Sequence, residues 1–299
     1  MNAPQTPFFC RLIHGFEGWM RTLGYAPSTV YGSVRFTEEF LGFLEKQQIE
    51  RLDGIGQENI EDYVLYLQQR QNHIRKGALS LNTITINLNA VRRFARYLRE
   101  TGKYSLEVTV NIPKAQCKPE RMILSIKEIK SLYRATDESP LGLRDRAMLG
   151  IYYGCGLRRS EGVALELQHV DMQRDMLFVR RGKGYSERYV PFSESIKRDF
   201  AAWLAVRGQL IANPLEKAFL IGVTGKPLQG PAIMDRVKRL STLARLDPST
   251  GLHTLRHSIA THLLKGGMSL ENVSRFLGHR SLETTQIYTH LVNESYAKL

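Results

Sequence analysis

Cysteine is scarce in this chain of 299 residues, which carries only Cys10, Cys117 and Cys155. Three widely spaced thiols suggest neither a disulfide framework nor a zinc site, so a reducing cytoplasm is the expected location. The N-terminus lacks a basic segment followed by a long apolar stretch, and no apolar run approaches the roughly 20 residues that span a bilayer. We therefore expect no signal peptide and no membrane partner.

Other signatures are also missing from the sequence. It has no internal repeat, no low-complexity tract and no glycine loop of the kind that cradles phosphates in nucleoside triphosphatases. His253 and His257 are one helical turn apart, but they lack the glutamate of the His-Glu-x-x-His zinc motif. The sequence therefore predicts neither a metal ion nor another cofactor.

Basic residues are in excess, with a formal net charge of +13. Residues 1–112 carry 13 Lys and Arg against 11 Asp and Glu, whereas the remaining residues carry 29 against 18. A basic excess favours a polyanionic partner such as double-stranded DNA. The excess falls in the second part of the chain, where the candidate catalytic residues also lie.

The first part of the chain has the apolar spacing of helices. One helix is predicted around Phe8–Leu23, a second with Ser28 as its N-cap, a third at 57–71, and a fourth with Asn82 as its N-cap. The polar face of the fourth helix carries four arginines, which either contact the DNA backbone or form a solvated surface: Arg92, Arg93, Arg96 and Arg99.

The chain divides near residue 110. We expect a helical domain at 1–108, a linker at 109–122 that is basic and interrupted by prolines, and a second domain at 123–299. The linker could lie along DNA or be an ordinary exposed loop.

The second domain is predicted to combine helices with a β-hairpin. Residues 176–180 and 188–191 have strand character, and the glycines between them favour a turn at 181–184. The fold class is therefore mainly α with a small antiparallel β-sheet (α+β). Further helices are predicted before and after the hairpin in the chain, at about 125–136, 142–154, 193–212, 230–245, 254–266, 270–277 and 282–290.

Several short motifs supply phosphate ligands and a nucleophile. Arginine suits bidentate phosphate recognition because its planar fork matches two phosphate oxygens, and tyrosine can form a covalent intermediate. In chain order the motifs are Gly156-Leu-Arg158-Arg159-Ser-Glu161, Gly182-Lys183-Gly184, His253-x-x-Arg256-His257, Leu277-Gly278-His279 and Tyr288.

The ordered set of motifs resembles the tyrosine recombinase (phage integrase) family, and the length resembles its compact Xer-like site-specific recombinases. The resemblance covers the whole chain. It implies that the first part is a core-binding domain and the second a catalytic domain, and that the two form a clamp around DNA.

The resemblance also implies roles for individual residues. Arg158 and Arg256 would bind the non-bridging oxygens of a DNA phosphate, and Arg158 is preferred over its neighbour Arg159. Tyr288 would attack phosphorus, and it is preferred over Tyr296, which lies outside any motif. The remaining members of the set would transfer protons, bind phosphate or support the site: Lys183 as the proton donor to the leaving 5′ oxygen, His253 and His279 in proton transfer, and Glu161 and His257 as supporting residues.

The implied reaction is strand exchange through a 3′-phosphotyrosyl link and a Holliday junction. Two successive ester exchanges conserve bond energy, so neither ATP nor a metal ion is required. The resemblance implies a tetramer on two DNA sites, formed by this chain alone or with a partner recombinase. Relatives commonly carry a longer segment after the tyrosine, and this segment docks on a neighbouring protomer. In this chain the contact is either missing or made by Leu291–Leu299.

Two other functions stay open on the sequence. A type IB topoisomerase-like enzyme would use the same tyrosine chemistry but only relax supercoils. A catalytically silent regulator of the same fold would bind DNA without cleaving it.

Overall fold

The computed structural model describes residues 3–72, 77–102, 122–180 and 187–278. The chain forms two compact units, Met1–Lys118 and Pro119–Leu299, and each contains its own hydrophobic core. The boundary falls inside the segment expected to be a linker, of which only residue 122 lies in the described ranges.

The first unit contains four α-helices within its described residues: α1 (Pro7–Thr22), α2 (Pro27–Lys46), α3 (Gln57–Gln69) and α4 (Leu81–Glu100). Their apolar faces meet around aromatic side chains that have no solvent exposure. These include Phe9, Phe16, Phe40, Tyr63 and Phe94.

Two helix starts differ from the sequence prediction. Ser28 is not the N-cap of α2, because the helix already begins at Pro27, whose fixed φ suits the first helical position. Asn82 is not the N-cap of α4, because the Ser80 hydroxyl accepts a hydrogen bond from the Thr83 N–H at 3.2 Å. In both cases the helix begins slightly earlier in the chain than the predicted cap.

A buried polar network ties three segments of the first unit together. Glu39 lies 2.8 Å from the Arg70 guanidinium and also accepts a hydrogen bond of 3.2 Å from Asn87. The Tyr63 hydroxyl donates to Asn87 at 2.9 Å, and burial raises the pKa of this phenol, so it remains a neutral donor. These bonds link α2, α4 and the end of α3.

The second unit contains seven α-helices within its described residues: α5 (Ile126–Arg134), α6 (Pro140–Leu149), α7 (Arg159–Val163), α8 (Glu194–Arg207), α9 (Gly230–Leu243), α10 (Leu252–Lys265) and α11 (Leu270–Leu277). Their core includes the fully buried Trp203, whose indole N–H donates to the Phe219 carbonyl at 2.9 Å.

A small antiparallel sheet completes this unit, with strands β1 (Val170–Asp171), β2 (Met176–Val179) and β3 (Arg188–Pro191) in that order. In the β2–β3 register Val179 lies opposite Arg188. Both predicted strands and the fold class are confirmed, whereas the short β1 was not expected from the sequence. The predicted turn at 181–184 lies outside the described residues.

Within the described ranges, no helix is long and apolar enough to cross a membrane.

Candidate active site

The segment before Arg158 is shaped by an irregular helix end. After α6 the chain makes a wide π-helical turn at Gly150–Gly154, where the Cys155 N–H bonds to the Gly150 carbonyl at 2.8 Å. Gly156 then takes a φ of +61°, and a Cβ at this position would lie 2.8 Å from the Leu277 side chain. Glycine is therefore required by both the backbone conformation and the close approach of α11.

Arg158 caps the start of α7 and points toward the end of α11. Its guanidinium donates hydrogen bonds to the carbonyl oxygens of Leu277 at 3.3 Å and Gly278 at 3.1 Å. It also donates to the Glu161 carboxylate at 3.0 Å. The side chain keeps 18% of its surface exposed, so it remains within reach of a ligand.

Arg256 reaches the same place from α10. Its side chain is buried, and the guanidinium donates to the Gly156 carbonyl and to the Leu277 carbonyl, the latter at 2.7 Å. Arg158 and Arg256 therefore share one acceptor, the Leu277 oxygen. Two positive groups from distant parts of the chain converge at the residue that opens the Leu277-Gly278-His279 motif.

Glu161 is a buried carboxylate with four hydrogen bonds. Two come from the Arg158 backbone N–H and guanidinium, and two come from the Arg188 guanidinium, each at 3.0 Å or less. Burial acts to raise the pKa of Glu161, but the hydrogen bonds and charge of Arg188 and Arg158 outweigh it and hold the pKa at about 2. The carboxylate is therefore ionised at neutral pH.

Arg188 was not among the residues singled out from the sequence. It begins β3, and its guanidinium also donates to the Phe276 carbonyl at 3.0 Å. The signal that could have found it is the alternation of the strand. Tyr189 is exposed and Val190 is buried, so Arg188 is in phase with the inward face and needs an acidic partner there.

The two described candidate histidines lie on α10. His253 is exposed in the first turn of the helix, three residues before Arg256, and His257 is half-buried one turn later. Their ring centroids are 6.4 Å apart. His253 and Arg256 therefore both lie in the first part of one helix.

Arg159, the rival of Arg158, points elsewhere. It is exposed, and its guanidinium contacts the Met234 sulfur of α9 at 3.4 Å. Of this arginine pair, the structure thus brings only Arg158 to the shared Leu277 acceptor.

Three other candidates lie outside the described residues: Lys183, His279 and Tyr288. Gly278, the last described residue, has a φ of +64° and ends α11 directly before His279. Within the described ranges, no cluster of three or more His, Cys, Asp or Glu could hold a metal ion.

The four arginines of α4 differ in their surroundings. Arg96 and Arg99 are exposed, and Arg96 pairs with Glu100 at 2.7 Å. Arg92 and Arg93 are half-buried and donate to Asn89 and Ser33, respectively. The exposed pair is better placed to reach a DNA backbone.

An apolar groove of about 770 Å³ lies elsewhere on the second unit. Lys130, Arg198 and Asp199 are the charged residues that line it. The rest of the lining is mainly apolar and comes from α5, α8, α10, α11 and nearby loops, including Ile129, Tyr133, Ile196, Ile259, Leu263, Met268 and Phe276.

Comparison with known proteins places the chain among DNA recombinases. The model of the phage integrase family matches residues 123–295. The chain is 34% identical to the tyrosine recombinase XerD of Pseudomonas aeruginosa, over 97% of this chain and 95% of that protein. It is 31% identical to the tyrosine recombinase XerC of Chlorobaculum parvum, over 94% of this chain and 90% of that protein.

Solved structures show the same fold. The XerH site-specific recombinase bound to a palindromic difH substrate, in a post-cleavage complex, matches with a TM-score of 0.74 at 18% identity, covering 100% of this chain and 96% of that one. A lambda integrase dimer bound to a COC′ core site matches with a TM-score of 0.67 at 16% identity, covering 93% and 76%.

Proposed function

The chain belongs to the phage integrase family and is a tyrosine-type site-specific DNA recombinase, and on this premise we propose that Tyr288 cleaves DNA at a phosphate held by Arg158 and Arg256. Topoisomerase-like relaxation and silent DNA binding are not favoured, because the relatives that match most of the chain are recombinases.

One observation supports the assignment most directly: the two guanidinium groups converge on the Leu277 oxygen. A carbonyl oxygen carries partial negative charge, so the donors that bind it suit the non-bridging oxygens of a phosphate. Negative charge builds on these oxygens as phosphorus becomes pentacoordinate, and preorganised guanidinium donors stabilise it. Both arginines stay charged at any physiological pH.

The proposed cleavage exchanges one ester for another. The Tyr288 oxygen forms a bond to phosphorus while the bond to the 5′ oxygen breaks, which gives a 3′-phosphotyrosyl link and a free 5′ hydroxyl. The 5′ hydroxyl of a second strand then attacks that link and releases the tyrosine. Each step makes and breaks one phosphate ester, so the reaction needs no ATP, and the arginines supply the positive charge that a metal ion provides in other enzymes.

Proton transfer is assigned to the remaining motif residues. Tyrosine has an ordinary pKa of roughly 10 and must lose its proton to attack. His253 stands exposed beside Arg256 at the start of α10, a position open to substrate. We assign His253 and His279 to this proton transfer, Lys183 to protonation of the leaving 5′ oxygen, and His257 and Glu161 to support of the site.

The first unit is proposed to bind the DNA backbone through α4. Arg96 and Arg99 are exposed on that helix, whereas Arg92 and Arg93 are half-buried. The exposed arginines are assigned to phosphate contacts, which position a protein on DNA without reading its sequence.

Assembly into a tetramer on two DNA sites is the remaining part of the proposal. The apolar groove of the second unit offers a docking surface for the segment Leu291–Leu299 of a neighbouring protomer. The apolar residues of that segment recur at helical spacing, at Leu291, Val292, Tyr296 and Leu299, and an amphipathic helix laid in an apolar groove is a common recognition mode.

A suicide substrate, which carries a nick near the cleavage site, tests the chemistry. Cleavage then releases a short fragment that carries the free 5′ hydroxyl, and its loss by diffusion traps the covalent complex. The parent protein should give a protein–DNA adduct on a denaturing gel, and Tyr288→Phe should bind the same DNA without one. An adduct formed by Tyr288→Phe would refute the assignment of the nucleophile. Tyr31→Phe, which changes an exposed tyrosine of α2, serves as the control that should react normally.

A further inference from the structure

Arg188 is a buried charge that the proposed mechanism does not use. Only 8% of its side chain is exposed, and its guanidinium makes three hydrogen bonds within the site. Two go side-on to the Glu161 carboxylate and one goes to the Phe276 carbonyl, all at 3.0 Å. Burying such a charge is costly unless it is fully paired, so its position calls for a specific role.

The three bonds join three separate segments. Arg188 itself lies at the first residue of β3, opposite Val179 at the end of β2, so it belongs to the strand pair next to the connection between β2 and β3. Glu161 lies on α7, and Phe276 lies in the last turn of α11. One side chain therefore holds the strand, the α7 turn and the C-terminal end of α11 in a single arrangement.

Arg188 also determines how Glu161 interacts with Arg158. The carboxylate divides its four hydrogen bonds equally between the two arginines. Without Arg188, a buried negative charge would have Arg158 as its remaining guanidinium partner. Arg158 would then be drawn toward Glu161 and away from the Leu277 and Gly278 oxygens, and so out of line with the phosphate that it is proposed to hold.

We propose that Arg188 is a positioning residue for DNA cleavage, which holds Glu161 and the end of α11 so that the Arg158 guanidinium faces the scissile phosphate. The inference rests on the proposed function, because it assigns Arg188 to the alignment of a phosphate ligand of that reaction. Arg188 acts through Glu161 and the Phe276 carbonyl, and contact with DNA is not part of its role.

Four variants separate positioning from simple stabilisation. Arg188→Met removes the charge and keeps the apolar stem, and Arg188→Lys keeps the charge but loses the bidentate fork. The double variant Arg188→Met with Glu161→Gln also removes the carboxylate charge. Arg207→Met is the matched control, because Arg207 is buried and donates to main-chain carbonyls away from this site.

Each folded variant is measured in two ways: its affinity for uncleaved DNA and its single-turnover rate of covalent complex formation on a suicide substrate. We expect Arg188→Met to bind DNA normally and to cleave at least about tenfold more slowly, since a tenfold loss corresponds to ~1.4 kcal/mol of transition-state stabilisation. Arg188→Lys should fall between this variant and the parent. Arg207→Met should lose stability but cleave at the parental rate.

The cleavage rate of the double variant, compared with that of Arg188→Met, distinguishes the two roles. If Glu161 captures Arg158 when Arg188 is absent, removal of the carboxylate charge should release Arg158, so the double variant should cleave faster than Arg188→Met alone. A purely structural role predicts the opposite, because the second substitution removes further buried bonds. A double variant that cleaves no faster than the single variant overturns the proposal.

Other cleavage results separate a failure of the inference from a failure of the proposed function. Parental cleavage rates in Arg188→Met and Arg188→Lys overturn the inference while the proposed function stands. If Arg188→Met does not fold, Arg188→Lys decides, because a parental rate without the bidentate fork is incompatible with positioning. A parent protein that gives no covalent complex on the suicide substrate refutes the proposed function itself.

Discussion

Arg158 and Arg256 lie 98 residues apart in the chain, and their guanidinium groups meet at one carbonyl oxygen, that of Leu277. The site therefore depends on the position of the end of α11. Arg158 arrives from the start of α7 and Arg256 from the first part of α10, so neither helix alone brings the two guanidinium groups together. Any change that displaces the end of α11 should disturb both arginines together.

Replacement of Arg256 by lysine should abolish most cleavage while charge is retained. A single ammonium cannot reproduce the two diverging hydrogen bonds to the Gly156 and Leu277 carbonyls, and it cannot bind a phosphate in bidentate fashion. We expect the single-turnover rate on a suicide substrate to fall at least about 100-fold, the size typical for loss of one preorganised transition-state donor. Arg159→Lys is the control, and a similar loss in that variant would contradict the assignment.

Gly278 should be intolerant of alanine for two separable reasons. Its φ of +64° disfavours a side chain, and a Cβ would lie 2.7 Å from the Arg188 guanidinium. Gly24 has a φ of +71°, but a Cβ there would meet open space, so Gly24→Ala carries the backbone cost alone, about 1 kcal/mol. Gly278→Ala should lower the free energy of unfolding by more than Gly24→Ala and should also slow cleavage. If Gly278→Ala and Gly24→Ala have equal free energies of unfolding and Gly278→Ala cleaves normally, the contact between the added Cβ and Arg188 has no consequence.

The sequence predicted the elements well where a periodic pattern carried the information. The apolar spacing of α4 and the strand character of residues 176–180 and 188–191 predicted these elements close to where the structure has them. The helix starts of α2 and α4 were wrong because several neighbouring residues can cap a helix, and only the backbone geometry selects one.

The candidate site was predictable only in part. Arg158 and Arg256 stand in recognisable motifs, but nothing in their spacing reveals that they share the Leu277 oxygen. Arg188 belongs to no recognisable motif. Its part in the site is visible only in the folded structure, where its guanidinium donates to Glu161. The side chains that arrange a site are recognised by tertiary contacts, which a single sequence does not encode locally.

The buried Glu161 should make stability depend on acid pH. Its pKa is held at about 2 in the folded protein, below the ordinary value of 4.5, so it stabilises the folded state above the unfolded pKa and this contribution is lost as pH falls toward 2. The full contribution is on the order of 3 kcal/mol, at ~1.4 kcal/mol per pKa unit.

Denaturant titrations of the parent and Glu161→Gln test this pH dependence. The difference in unfolding free energy between them should be constant above about pH 6 and should shrink by roughly half near pH 3, as expected from linkage. The titration of the other carboxylates cancels in this difference, because they are common to both proteins. A difference that does not change between neutral and acid pH would show that Glu161 has no depressed pKa.

Arg96 should contribute to DNA binding through its charge alone. Removing one phosphate contact reduces the slope of log affinity against log salt by about 0.9 on double-stranded DNA. Arg96→Gln should therefore flatten the slope and weaken binding equally to target and unrelated DNA. Arg21→Gln is a matched control, since Arg21 is likewise exposed and paired with a glutamate one helical turn away. Equal slopes for Arg96→Gln and the parent would remove Arg96 from the proposed interface.

The proposed assembly predicts a loss of synapsis without a loss of binding. A chain ending at residue 290 lacks the segment proposed to fill the groove, and Met268→Glu places a charge in the apolar lining. Each should bind a single DNA site with parental affinity but fail to hold two sites in one complex, because desolvating a carboxylate in the groove opposes docking. Leu215→Glu, which alters an exposed leucine outside the groove lining, should assemble normally. Native gels with two DNA fragments of different length report the paired complex directly. If the truncated chain pairs them as well as the parent does, tetramer assembly must rely on another surface, and the groove has no part in it.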